Sequence, residues 1–157
     1  MPNKALRILI ADEQHFHRMK IERGLNQLGY YRIAPVHSLA ELLTVVEYGC
    51  EAFDLVIFNA GLTVGTGLDP LAFCQDNLQI RHTLIYDAGQ AGLSPVPAAR
   101  RHTVQVIRAV LPNQETLESL MLRVDAPVPL SKCANARQHG VLRALVCPDA
   151  CCRSSEL

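Results

Sequence analysis

Phe53-Asp54-Leu55-Val56-Ile57-Phe58-Asn59 sets four consecutive apolar residues, Leu55 to Phe58, between an aspartate and an asparagine. A strand with one face in water alternates apolar and polar side chains. A run that is apolar on both faces needs cover on both, as at the centre of a parallel sheet. The stretch therefore predicts a buried central strand. In open α/β sheets the functional crevice lies beyond the carboxyl ends of the strands, which makes Asn59 a candidate site residue. Two other apolar runs end in the same way: residues 6–11 lead into Asp12 and Glu13, and residues 83–86 lead into Asp87. In parallel, neighbouring strands, Asp12, Glu13, Asn59 and Asp87 are expected to meet at one edge.

Helical patterns separate these runs. Phe16, Met19, Ile21, Leu25 and Leu28 return close to helical spacing over residues 14–28, and Gly29 ends the pattern. On that helix His15, His17 and Arg18 are expected on the solvated face. His15 and His17, two residues apart, do not share a face and make a poor metal pair. Residues 31–36 predict a short second strand, and Pro35 near its end suits an edge position or a strand terminus. Ser38 and Glu41 form a capping box for a helix over residues 39–48 that turns Leu39, Leu42, Leu43 and Val46 inward. A glycine-rich loop follows Asn59, and Pro70 opens a third helix reaching about residue 78. The pattern weakens over residues 88–101, with room only for a short helix at 98–101. Residues 104–110 read as a fifth strand, and Asn113 or Gln114 opens a last helix with Leu117, Leu120, Met121 and Val124 inward.

Composition limits the function. The chain has 157 residues with 15 basic and 15 acidic side chains, enough for one domain with a tail. Balanced charge argues against a broad nucleic-acid or anionic-membrane surface. No apolar run approaches the ~20 residues that cross a bilayer, and the N-terminus lacks a secretory pattern, so a cytoplasmic protein is expected. Cys50 and Cys74 fall in apolar helical patterns and read as reduced, buried thiols. Gly61, Gly65 and Gly67 are wrongly spaced for a nucleotide-binding turn, which argues against an enzyme of the Rossmann type.

Alternating strands and helices make a doubly wound, five-stranded parallel sheet with helices on both faces, a flavodoxin-like three-layer sandwich. In order and spacing, residues 5–125 resemble the CheY-like receiver domains of two-component response regulators. ILIADEQ, residues 8–14, resembles their first strand and the acidic pair that holds magnesium. DLVIFNAG, residues 54–61, resembles the third strand and the phospho-acceptor position, and LIYDAG, residues 84–89, the fourth strand and the switch position.

The family's chemistry needs an aspartyl nucleophile, a cation held by carboxylates, and a lysine and a hydroxyl on the phosphoryl oxygens. The resemblance puts Asp12 and Glu13 at the acidic pair as vestigial metal ligands, with weakly bound magnesium as the one cofactor to consider. Asn59 stands at the acceptor position, and a carboxamide has no anionic oxygen with which to form an acyl phosphate. Asp87 replaces the switch hydroxyl, and residues 109–113 carry no lysine. The resemblance thus implies a degenerate pseudo-receiver, with no catalytic residue, that binds a sensor kinase, another regulator or a second copy of itself through residues 88–122. A homodimer would use the last helix, with Leu120 and Met121. The alternative is a working phosphorelay receiver with an unusual acceptor, Asp87 or Asp12.

Residues 126–157 read as a proline-containing linker and a tail with one short helix at 136–146. Cys133, His139, Cys147, Cys151 and Cys152 lack the paired spacing of a structural zinc site, and reduced thiols are expected there. Nothing in the tail has the pattern of a helix-turn-helix module.

Overall fold

The computed structural model describes residues 2–89, 93, 95–101 and 103–126. The tail, with its expected helix at 136–146 and its cysteines, lies outside these residues. The sheet and its helices belong to the unit Met1–Asp125.

Strands β1 (Ile8–Ala11), β2 (Ile33–Val36), β3 (Phe53–Asn59), β4 (Ile80–Tyr86) and β5 (Val104–Ile107) form one sheet in the order β2-β1-β3-β4-β5, every pair parallel. The Phe53–Asn59 stretch is the middle strand, and Leu55 to Phe58 are wholly buried. Pro35 lies on the edge strand β2, where no outer neighbour among the described residues needs its missing N–H. Among the described residues four helices accompany the strands: α1 (His15–Gln27), α2 (Leu39–Glu47), α3 (Pro70–Asp76) and α4 (Gln114–Val124). The connection between β4 and β5 has only a 3-10 turn at Ala98–Arg100 among its described residues. Its prolines at 95 and 97 remove the N–H donors that a helix would need.

The sheet divides the apolar interior into two cores, one on each face. Ile8, Ile10, Leu55, Ile57, Leu84 and Tyr86 pack with α1 and α4 through Ile21, Leu25, Leu117, Leu120 and Met121. Leu9, Ala11, Val56, Phe58 and Ile85 pack on the opposite face with Leu42, Val46, Leu71 and Cys74. Side chains alternate with a period of two, so each strand supplies both cores.

Local signals explain most boundaries. Ser38 accepts the Glu41 N–H, while Glu41 accepts the His37 N–H, one residue before the expected partner. Asp69 caps α3 through the Leu71 N–H, and Asn113 caps α4 through the Thr116 N–H. Gly29, at φ +96°, follows α1 in a conformation that an L side chain rarely adopts.

Three expectations need correction. Phe16 is 56% exposed with the Lys20 ammonium over its ring, and the buried face of α1 is His17, Ile21, Gly24 and Leu25. Cys50 lies outside any helix and is exposed. Leu120 and Met121 are 3% and 2% exposed in the core, so they are not free to form a dimer face. Cys74 is a buried free thiol, as expected. Its pKa is pushed up to about 12, first by burial, so it stays protonated and unreactive.

Candidate functional site

Register and alternation together build the site. Ile10 lies beside Ile57, which puts Asp12 level with Asn59, and Asn59 lies beside Tyr86. Asp12, Asn59 and Tyr86 follow Ile10, Ile57 and Leu84 at a spacing of two. All three therefore share the sheet face that packs on α1 and α4. They form one row across three adjacent strand ends.

Asp12 is the centre of this row and is wholly buried. Its Oδ1 accepts the Gln14 N–H at 2.8 Å, which turns the chain into α1. Its Oδ2 accepts from Tyr86 Oη–H at 2.5 Å, His17 Nδ1–H at 2.9 Å and Asn59 Nδ2–H at 3.1 Å. Arg18 Nη1 donates to the Asp12 backbone carbonyl at 2.6 Å, so a guanidinium also lies close. The acceptor fixes the His17 tautomer, because Nδ1 must carry hydrogen. The Asn59 amide orientation is fixed as well, since its Oδ1 accepts the Gly61 N–H at 2.9 Å while its nitrogen faces Asp12.

His17 and Tyr86 are the members that the sequence does not reveal. The polarity of its side chain puts His17 on the solvated face in a reading of the sequence. A signal is present, because His17, Ile21 and Leu25 recur every four residues, but a polar side chain on a buried stripe needs a known partner before it reads as interior. Tyr86 reads as a packing residue, and its ring does lie in the core. Its hydroxyl has the second role of donating to Asp12.

Burial, then the hydrogen bond to Asp12 and the charge of Asp12, raise the Tyr86 pKa far above the usual tyrosine value. Tyr30 is pushed up to about 12 by burial, and next by its hydrogen bond to Asp125. Above about pH 10 an unfolded chain releases both protons while the folded one keeps them. These groups therefore contribute stability that is fully present below about pH 10 and is lost as pH rises further. Tyr86→Phe is expected to cost about 1.5–3 kcal/mol at pH 7, for one hydrogen bond to a carboxylate, and to flatten the fall in stability between about pH 9 and 11. Urea midpoints measured across that range check both effects, and equal alkaline slopes in the two proteins would contradict the assignment.

The remaining expected site residues go elsewhere. Glu13 is exposed to solvent. Asp87, one residue past Tyr86, belongs to the opposite pleat. It accepts the Gly89 N–H and lines a cavity of about 250 Å³ with Leu93, Val96, Val106 and Arg108. Asp12 and Asn59 are thus brought together, while Glu13 and Asp87 do not join them.

The residues at the strand edge do not fit a divalent cation. Magnesium requires oxygen lone pairs. Asp12 Oδ2 already carries three donors, Asn59 turns its nitrogen inward, and Glu13 faces water. Among the described residues no three of His, Cys, Asp and Glu are grouped to hold a metal.

The architecture is the flavodoxin-like, CheY-like sandwich of receiver domains. Solved receiver structures share it. The chemotaxis response regulator CheY4 of Vibrio cholerae matches with a TM-score of 0.54 at 17% identity, over 76% of this chain and 98% of that one. A response regulator receiver domain protein from Bacillus halodurans gives 0.55 at 15% identity, over 81% and 100%. SdrG from Sphingomonas melonis gives 0.54 at 20% identity, over 78% and 98%. At these identities the likeness is one of fold. No protein-family model and no curated protein matches the chain. Among the described residues no helix is long and apolar enough to cross a membrane.

Proposed function

We propose that this chain is a non-enzymatic signalling module, a pseudo-receiver of the cytoplasm that acts by binding a protein partner without aspartyl phosphorylation. The observation that carries this reading is the state of Asn59. It stands at the end of β3 with both ends of its amide engaged, the oxygen by Gly61 and the nitrogen by Asp12. An amide has no anionic oxygen to attack a phosphoryl group. Its neighbours at the strand ends also differ from the groups the chemistry needs. Asp87 is a carboxylate where a donor hydroxyl is required, and residues 109–113 contain no lysine. A sensor kinase or another regulator is the fitting partner class, recognised through surface rather than through a transferred group.

One observation favours the second reading, phosphorylation at an unusual acceptor. Asp87 lines a cavity together with Arg108, whose guanidinium offers donors to an anion. Asp12 is a poorer acceptor because it is wholly buried beneath its donors.

The test is incubation with acetyl phosphate and magnesium, followed by intact mass and amide spectra with beryllofluoride. The reading expects no gain of a phosphoryl group and no shifts from Asp87 through Val110. A stoichiometric, hydroxylamine-sensitive gain that is lost in Asp87→Asn would establish the alternative.

A further inference from the structure

We infer that the donors gathered on Asp12 do internally the work a divalent cation does at a receiver-like strand edge, so that this edge is closed to metal and the three strand ends are held by hydrogen bonds alone. The inference deepens the proposed function, because it says why the edge takes no ionic input and leaves a protein partner as the input.

Polarity decides the matter. A cation site presents several oxygens whose lone pairs converge on an unfilled centre. Here the convergence is reversed. One carboxylate oxygen is the centre, and N–H and O–H groups from three different elements point at it: Tyr86 from β4, Asn59 from β3 and His17 from α1. The second oxygen holds the Gln14 N–H, and the backbone carbonyl beside it holds Arg18. A cation entering would have to displace at least one of these donors, and leaving the buried Tyr86 or His17 donor unpaired beside a wholly buried carboxylate is unfavourable.

The groups nearest the entrance deepen the mismatch. The Asn59 carbonyl oxygen is the one side-chain acceptor of that residue, and it is committed to the Gly61 N–H. Arg18 adds a positive charge close to Asp12, which repels a cation. The substitution that matters most is therefore the amide at position 59. Its nitrogen supplies a donor where a carboxylate would supply a ligand.

The experiment is a manganese titration of the full chain watched by amide line broadening, with magnesium as competitor. In the unaltered protein the amides of residues 12–14 and 59–61 are expected to broaden no more than the rest of the surface. Asn59→Asp, which swaps the donor for an oxygen, is expected to show selective broadening there that magnesium reverses. Selective, magnesium-reversible broadening in the unaltered protein overturns the inference, as does its absence in a folded Asn59→Asp. Should Asn59→Asp fail to fold, the side-chain amide signals of Asn59 in the unaltered protein decide. Signals unmoved by about 10 mM magnesium, enough to fill a site with a dissociation constant of about 1 mM, support the inference, and a shift overturns it. These outcomes are independent of the phosphodonor result, so failure of the metal inference is distinguishable from failure of the proposed function.

Discussion

Asp12→Asn is expected to lower the unfolding free energy by about 3–4 kcal/mol, the usual loss when a buried charged acceptor is removed from its donors. The carboxylate serves a donor on each of its two oxygens. An amide has one oxygen, so in either orientation its NH₂ group meets another donor. With the oxygen toward Tyr86, His17 and Asn59, the nitrogen faces the Gln14 N–H. With the amide reversed, the nitrogen faces three donors at once. For a domain of this size the change corresponds to a drop of roughly 10 °C or more in melting temperature. Urea and thermal unfolding of the pair of proteins measure it. A difference under about 1 kcal/mol would mean that the cluster contributes little, since that is the scale of one ordinary hydrogen bond.

Asn59→Asp is expected to be nearly as damaging at neutral pH, for the opposite reason. The Asn59 nitrogen lies 3.1 Å from Asp12 Oδ2, and the substitution puts a second carboxylate oxygen there. Two unit charges at that distance repel by about 5 kcal/mol at an effective dielectric constant of 20, and carboxylates so placed share one proton instead. The folded variant thus binds a proton that the unfolded chain releases above about pH 4. Its stability is greatest at low pH and falls as pH rises, so its deficit against the unaltered protein is small near pH 5 and about 2–4 kcal/mol near pH 8. Denaturation at the two pH values tests the sign, and a deficit that does not vary with pH would contradict it. On the proposed reading, a carboxylate at position 59 is not expected to create a phosphorylation switch. Asp87 is a carboxylate and residues 109–113 contain no lysine, so acetyl phosphate should label this variant slowly and below stoichiometry.

Both variants act on the same cluster of strand ends. In a switching receiver a phosphoryl group biases two packings of the strand edge. Here Tyr86 at the end of β4 is tied to Asp12, and residues 103–107 carry no aromatic side chain. A ligand shifts a population only where it distinguishes two states.

Much of the fold was legible because its signals are local. The apolar run Leu55 to Phe58 needs cover on both faces wherever it lies, and the Ser38, Asn113 and Pro70 helix starts act within a few residues of themselves. The same holds for the end of α1 at Gly29. Boundaries drifted where pairing rather than pattern decides them. β4 begins at Ile80 because Phe53 is its partner, and β5 stops at Ile107 because Tyr86 is the last residue beside it. Phe16 and His17 exchanged places because both fall near the same stripe of α1. The register that seats His17 against Asp12 is set by the sheet beneath the helix, and the helix's own periodicity does not contain it.

The sequence alone determined the architecture and the asparagine that ends the third strand. Alternating strands and helices, parallel pairing and the asparagine after the third strand are read from residue types at fixed positions and need no knowledge of distance. Only the tertiary structure decided what the site is. Asp12, Asn59 and Tyr86 lie 47 and 27 residues apart along the chain, and they become neighbours through the register of β1 on β3 and β3 on β4. The pleat then sends Asp87 to the other face, although it adjoins Tyr86 in sequence. A carboxylate read along the chain is equally a metal ligand or a hydrogen-bond acceptor. Which it is depends on whether oxygens or donors converge on it, and that convergence exists only after the strands have paired.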